Sequence, residues 1–221
     1  MGQPVHREED PRLLRGEGRY TADLEFPRNT LHAYVVRATH AHANILSIDT
    51  TRALAVPGVV AVYTGADIAA DNLGTIVCRM PMKRPDGSPM HQSGMLGIVR
   101  DRVRMVGDIV AYVVAETLWQ AKDAAELVSV EYEPLPAVVL AADAIQPGAP
   151  ALWEGCPDNI AWIYEAGDKT AVDAAFAKAT HVVKQRLNIN RITNAALEAR
   201  GCIGHHDPHA GRTTLYGGIA W

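Results

Sequence analysis

The sequence predicts a mixed α+β fold, and three observations carry that expectation. Short apolar runs rich in β-branched residues crowd residues 31–115, a single well-patterned helix follows Glu116, and a strand of period two begins as soon as that helix ends. With 221 residues, 48% of them hydrophobic and 21% charged, the chain is long enough to bury a core, and one or two domains are expected.

The strand runs are LHAYVVRA from Leu31, NILSIDT from Asn44, VVAVYT from Val59 and VRMVGDIVAYVVA from Val103, separated by Gly, Pro and Asp. Between the second and third, Thr51 to Val56 holds good helix formers stopped by Pro57-Gly58, because proline lacks the N–H that would continue a helix. After Glu116, Thr117 serves as an N-cap whose hydroxyl accepts one of the orphan N–H groups of a helix start. Leu118, Ala121, Ala125 and Val128 then recur on one side, with Lys122, Asp123 and Glu126 on the other. Val128 to Glu133 alternates with period two and stops at Pro134, so strand, helix and strand follow one another from Val103 to Glu133.

Residues 75–98 are rich in Met, Pro and Gly, contain a Pro-Asp-Gly turn and show no sustained period, which predicts a long excursion loop suited to an interface. Pro134, Pro136, Pro147, Gly148, Pro150, Gly155 and Pro157 oppose regular structure over 134–159 and predict a linker. Beyond it a short amphipathic helix is expected over 172–179 and a half-buried strand over 181–189. Two further strands, roughly 195–204 and 213–216, would be joined by the loop His205–Gly211.

Composition also excludes. A net charge of -4 leaves no basic surplus, so no nucleic-acid partner is expected. The polar start carries charges of both signs and shows no apolar run of the export-signal kind, so no export signal is expected. The longest apolar run, Ile109 to Ala115, falls far short of the roughly 20 residues that cross a bilayer, so no membrane span is expected. Cys78, Cys156 and Cys202 form no C-x-x-C pair, which leaves no disulfide framework, thiolate zinc site or iron–sulfur site and fits a reducing cytoplasm.

Several residue groups invite a chemical reading. His205, His206 and His209 with Asp207 offer donors that would suit zinc, but neighbours on a strand face opposite sides, so no metal site is expected there. Gly16-Glu17-Gly18 has no preceding strand and lacks a third glycine, which argues against a phosphate loop. Cys202 is expected as a small buried hydrophobe. Ser47, Ser88, Ser93 and Ser129 stand in no G-x-S-x-G elbow, which sets an α/β-hydrolase mechanism aside. Glu198, taken alone, reads as a solvated charge on a strand.

Four motifs change that last reading. Arg7-Glu8-Glu9-Asp10 and Gly16-Glu17-Gly18-Arg19-Tyr20-Thr21-Ala22-Asp23 are followed by Val103-Arg104-Met105-Val106-Gly107-Asp108 with Ala111 to Thr117, and then by the stretch AKDAAELVSVEYEPLP from Ala121 to Pro136. In this order they resemble the N-terminal portion of the large, molybdopterin-binding subunits of molybdenum hydroxylases, the family of xanthine dehydrogenase, aldehyde oxidase and carbon monoxide dehydrogenase. The resemblance runs over essentially the whole chain. It implies an α/β hammerhead domain over 1–135, then, past the Pro/Gly-rich linker at 136–165, the first strands of a molybdopterin-binding domain over 166–221.

The same resemblance implies an oxidoreductase that hydroxylates aldehydes, purines or N-heterocycles, or that oxidises carbon monoxide. Asn194-Ala195-Ala196-Leu197-Glu198-Ala199-Arg200-Gly201-Cys202 is similar to the family's segment bearing a substrate-facing glutamate, so Glu198 is implied as the catalytic, substrate-positioning residue. Ala199 stands where the family more often has proline. The family's glycine-rich cofactor loops and its C-terminal glutamate have no counterpart in these 221 residues, so the cofactor-binding residues stay unknown and the chain is expected to be inactive without a C-terminal cofactor-binding region. Molybdenum-molybdopterin would then be held by a C-terminal molybdopterin-binding polypeptide, with iron–sulfur and FAD centres in partner subunits, acting on a small-molecule substrate. The alternative is a non-catalytic hammerhead module for subunit assembly, with the loop at 75–98 as its contact surface.

Overall fold

The computed structural model describes residues 4–5, 7–27, 29–80, 82–189, 192–193, 196 and 198–218. In chain order the elements are α1 (Asp10–Leu14), a 3-10 turn (Thr21–Asp23), β1 (His32–Arg37), β2 (Ala43–Asp49), α2 (Thr51–Leu54), β3 (Val59–Thr64) and α3 (Gly65–Ala70). They continue with β4 (Arg102–Val103), β5 (Ile109–Ala115), α4 (Leu118–Ala125), β6 (Ser129–Pro134), α5 (Ala141–Ala144), α6 (Lys169–Lys178), β7 (Cys202–Asp207) and β8 (Arg212–Gly217). Contacts divide the chain into two compact units, residues 29–178 and residues 1–28 with 179–221.

The unit 29–178 is built on two three-stranded antiparallel sheets, ordered β1-β5-β3 and β4-β2-β6. β5 reads IVAYVVA because it lies between two strands and is covered on both faces, which removes the usual demand for alternation. Val110 packs with Ala38, Ala43 and Val103, whereas Val113 packs on the other side with Ala53, Ala124 and Ala125. The buried face of α4 is made of Ala121, Ala124 and Ala125, whose small side chains let the helix lie close on β1 and β5. Its start follows the expected chemistry: the Thr117 hydroxyl accepts from Gln120 N–H at 3.2 Å.

The run VRMVGDIVAYVVA is two strands, not one. Gly107 takes φ +96°, a conformation open to glycine, and the Asp108 carboxylate accepts from Arg104 N–H at 2.7 Å and Met105 N–H at 3.2 Å. The chain turns there and passes from the β2 sheet to the β1 sheet. Helix α3 was not expected; its signal is the capping box of Thr64 with Asp67, whose carboxylate accepts from Thr64 N–H at 2.6 Å. Gly65 begins that helix where a Cβ would stand 2.4 Å from Val99 O, so no larger residue fits without moving backbone.

The excursion at 75–98 and the proline-rich stretch after Pro134 hold each other. Arg84 donates to both oxygens of Asp158 at 2.9 and 2.7 Å and to Ile160 O at 2.8 Å, while His91 N–H donates to Ala161 O at 2.9 Å. Arg104 stacks over Trp153 at 3.8 Å from the ring centroid. Asn159 accepts from Leu152 N–H and donates to Ala144 O and Pro150 O, each at 2.9 Å, which replaces the backbone pairing that the prolines deny. Outside the short helix α5, the segment 136–165 is therefore ordered by side-chain bonds and by isolated backbone bonds to the excursion.

In the unit made of 1–28 and 179–221, β7 and β8 form a hairpin in which His205 faces Thr214 and Asp207 faces Arg212. Phe26 meets Tyr216 edge to face, with centroids 6.1 Å apart, and this ties the N-terminal segment to β8. Two expectations are corrected. Residues 181–189 form no strand: among the described residues nothing pairs with them, and Val183 and Ile189 are 90% and 91% exposed. The strand expected over 195–204 begins only at Cys202, with Asn194, Ala195 and Leu197 lying outside the described residues.

Candidate functional site

The N-terminal segment reaches Glu198 through a chain of local decisions. Helix α1 ends in a Schellman turn: Gly16 at φ +73° donates to Leu13 O at 3.1 Å and Glu17 N–H donates to Arg12 O at 3.0 Å. Gly16-Glu17-Gly18 is thus a helix stop, and Glu17 pairs on the surface with Arg15. The 3-10 turn follows, closed by Tyr20 N–H donating to the Asp23 carboxylate at 2.9 Å. That turn presents Thr21.

Glu198 Oε1 accepts from both Thr21 N–H and the Thr21 hydroxyl, each at 2.8 Å. The carboxylate is half-buried and lines a cleft of about 420 Å³ with Arg19, Tyr20, Leu24 and Tyr216. Its pKa lies below the usual glutamate value because the Thr21 backbone N–H, and then the Thr21 hydroxyl, stabilise the charged form; partial burial and nearby Asp23 oppose the shift. An ionised carboxylate with one oxygen fixed suits hydrogen-bond acceptance from a ligand N–H or O–H. Thr21 was not singled out from the sequence, since its contact crosses 177 positions and no local pattern announces it.

The remaining candidates are placed elsewhere or used otherwise. His205 and His206 stand in β7, His206 Nδ1 lies 3.0 Å from Thr213 Oγ1, and His209 falls in the turn. Asp207 accepts from the backbone N–H groups of His209 at 2.9 Å and Ala210 at 3.2 Å, so it shapes the hairpin. Among the described residues no three His, Cys, Asp or Glu side chains gather as metal ligands. Cys202 is exposed, against expectation, because its strand has only one partner; Cys156 is the buried thiol, held beside Arg84 at 3.2 Å.

Two sandwiched antiparallel sheets with a small-residue helix across one of them define a class. The chain belongs to the aldehyde oxidase and xanthine dehydrogenase family: the model of that family's a/b hammerhead domain matches residues 15–136, and the model of the molybdopterin cofactor-binding domain matches residues 152–220. Its relatives include the carbon monoxide dehydrogenase large chain of Afipia carboxidovorans, 38% identical over 98% of this chain and 27% of that one. The nicotine 6-hydroxylase large subunit of Paenarthrobacter nicotinovorans is 37% identical over 98% of this chain and 25% of its own length. Among solved structures, quinoline 2-oxidoreductase from Pseudomonas putida 86 is similar at a TM-score of 0.81 and 35% identity, covering 98% of this chain and 26% of that chain. The chain thus spans about a quarter of the length of the relatives it matches.

Proposed function

We propose that this chain is the N-terminal part of a molybdenum-cofactor oxidoreductase large subunit, acting with a C-terminal molybdopterin-binding region. The observation that carries this reading is the pair of consecutive family matches, hammerhead at 15–136 and cofactor-binding domain at 152–220, over a quarter of the relatives' length. In functional terms we assign 1–135 to the hammerhead domain, 136–165 to a connecting segment and 166–221 to the opening of the cofactor-binding domain.

The described residues that line this cleft do not fit the cofactor by themselves. Molybdopterin carries a phosphate, which calls for several N–H donors and positive charge, whereas the cleft sets a single cation, Arg19, beside an ionised Glu198 that already takes the Thr21 N–H. The rest of the enzyme must hold the cofactor, whose bound molybdenum supplies the oxygen-transfer and two-electron chemistry. Glu198 takes the substrate-positioning role, supported by its half-buried place in the cleft and its ionised state.

Substrates are small molecules: an aldehyde, purine, N-heterocycle or carbon monoxide. Electrons leave through iron–sulfur and FAD centres in partner subunits, in keeping with relatives that are large chains or subunits of complexes. The cytoplasm is the compartment, supported by three free thiols. Among the described residues no helix is long and apolar enough to cross a membrane.

The test is reconstitution. The chain alone is expected to carry no molybdenum, and co-expression with the downstream region and partner subunits to yield a molybdenum-loaded complex that oxidises one of these substrate classes. Stoichiometric molybdenum and turnover by the isolated chain would overturn the reading.

A further inference from the structure

We infer that Thr21 is the positioning residue for Glu198 and that Gly218 is glycine because the same carboxylate lies over it. The three residues form a latch that fixes Oε1 and leaves the second carboxylate oxygen for a ligand donor. This rests on the reading of Glu198 as the substrate-positioning group. Three observations carry it independently of any family likeness.

First, Thr21 gives two donors to one oxygen, both at 2.8 Å, and a threonine supplies the backbone and hydroxyl donors at that spacing where alanine or valine would supply one. Two bonds to one oxygen restrain its position and limit rotation of the carboxylate. Second, a Cβ built on Gly218 would stand 3.0 Å from Glu198 Oε2, 3.3 Å from Cδ and 3.4 Å from Oε1. Any side chain there would force the carboxylate to shift by a few tenths of an ångström from the place it holds against Thr21. Third, the turn bearing Thr21 is itself braced, by Tyr20 N–H on Asp23 and by Phe26 against Tyr216. The latch is thus anchored at both ends.

Charged and titratable groups near the carboxylate are Arg19, Tyr20 and Asp23 from the N-terminal segment and Tyr216 from β8. Asp23 alone of these opposes ionisation, and the Thr21 bonds outweigh it.

The experiment is a pH titration of the chain labelled with glutamate carrying 13C at the side-chain carboxyl, the Glu198 signal being identified by its loss in Glu198→Gln. The wild-type midpoint is expected below that of free glutamate. Thr21→Val, which keeps the N–H and removes the hydroxyl, raises it; Thr21→Ser, which keeps both donors, restores it. Gly218→Ala raises it by less than Thr21→Val, and serves alone should Thr21→Val lose the native amide spectrum. Midpoints unchanged in both Thr21→Val and Gly218→Ala overturn the latch.

In the reconstituted holoenzyme, Thr21→Val is expected to lower kcat/KM about ten- to a hundredfold, the scale of a misplaced positioning group, with Thr21→Ser close to wild type. A shifted titration with unchanged turnover in Thr21→Val and Glu198→Gln would leave the latch standing and sink the substrate-positioning role of Glu198.

Discussion

Strand β5 and residues 181–189 carry similar sequence signals and meet opposite fates. β5 is an unbroken apolar run and residues 181–189 alternate apolar with polar side chains, yet both patterns read as strands. β5 lies between β1 and β3 with α4 across one face, and Val110, Ala111, Val113 and Ala115 are fully buried. Residues 181–189 have no strand beside them among the described residues, and Val183, Leu187 and Ile189 stand in the open. The difference teaches that a period-two pattern specifies which side chains would share a face, while the burial that stabilises a strand comes from its neighbours.

The sharpest way to break the comparison is to place a charge in each region. Val113→Asp strands a carboxylate between the sheet and α4 and is expected to cost more than about 4 kcal/mol, enough to unfold this unit in chemical denaturation. Val183→Asp should change stability by no more than about 0.5 kcal/mol. Equal effects would mean that residues 181–189 are buried in solution.

A second substitution tests how tightly the sheet region is built. Gly65→Ala brings a methyl group against the backbone of Val99 and Arg100 and is expected to destabilise by about 1–3 kcal/mol, read from the urea midpoint. Smaller again is Thr117→Ala, which removes the cap of the helix that covers β5 and should cost about 1 kcal/mol in the same measurement.

The smallest effect depends on pH. Asp158 is held ionised below the usual aspartate range, first by the Arg84 guanidinium and then by the Ile160 N–H. Its folded pKa lies below the unfolded value, so the stabilisation is present above about pH 3.9 and disappears as pH falls through the folded pKa. Arg84→Ala should therefore lower the urea midpoint at neutral pH, and the gap from wild type should close in acid. A gap independent of pH would assign the role of Arg84 to its bonds with Ile160 O and Cys156 Sγ.

Local chemistry made much of this fold legible. The stop at Pro57-Gly58, the Thr117 cap and the stop at Pro134 each act within a few residues, and the elements α2, α4 and β6 follow them closely. The same kind of local signal stands at Thr64 and Asp67, where a capping box starts α3, and at Gly107, which divides one apolar run between two sheets. In the candidate site the sequence motif pointed to Glu198 and not to the residues that hold it.

What the sequence determined by itself is most of the strands and helices in the sheet region, because caps, breakers and periodicity are local properties of neighbouring residues, and, through its ordered motifs, a resemblance to the family. Only the tertiary structure decided that the proline-rich stretch is ordered by Arg84 and Asn159, that residues 181–189 find no strand partner among the described residues and that Thr21 meets Glu198. Each of these depends on groups far apart in the chain, whose approach is set by packing and hydrogen-bond satisfaction across the fold, and no short window of residues contains that information.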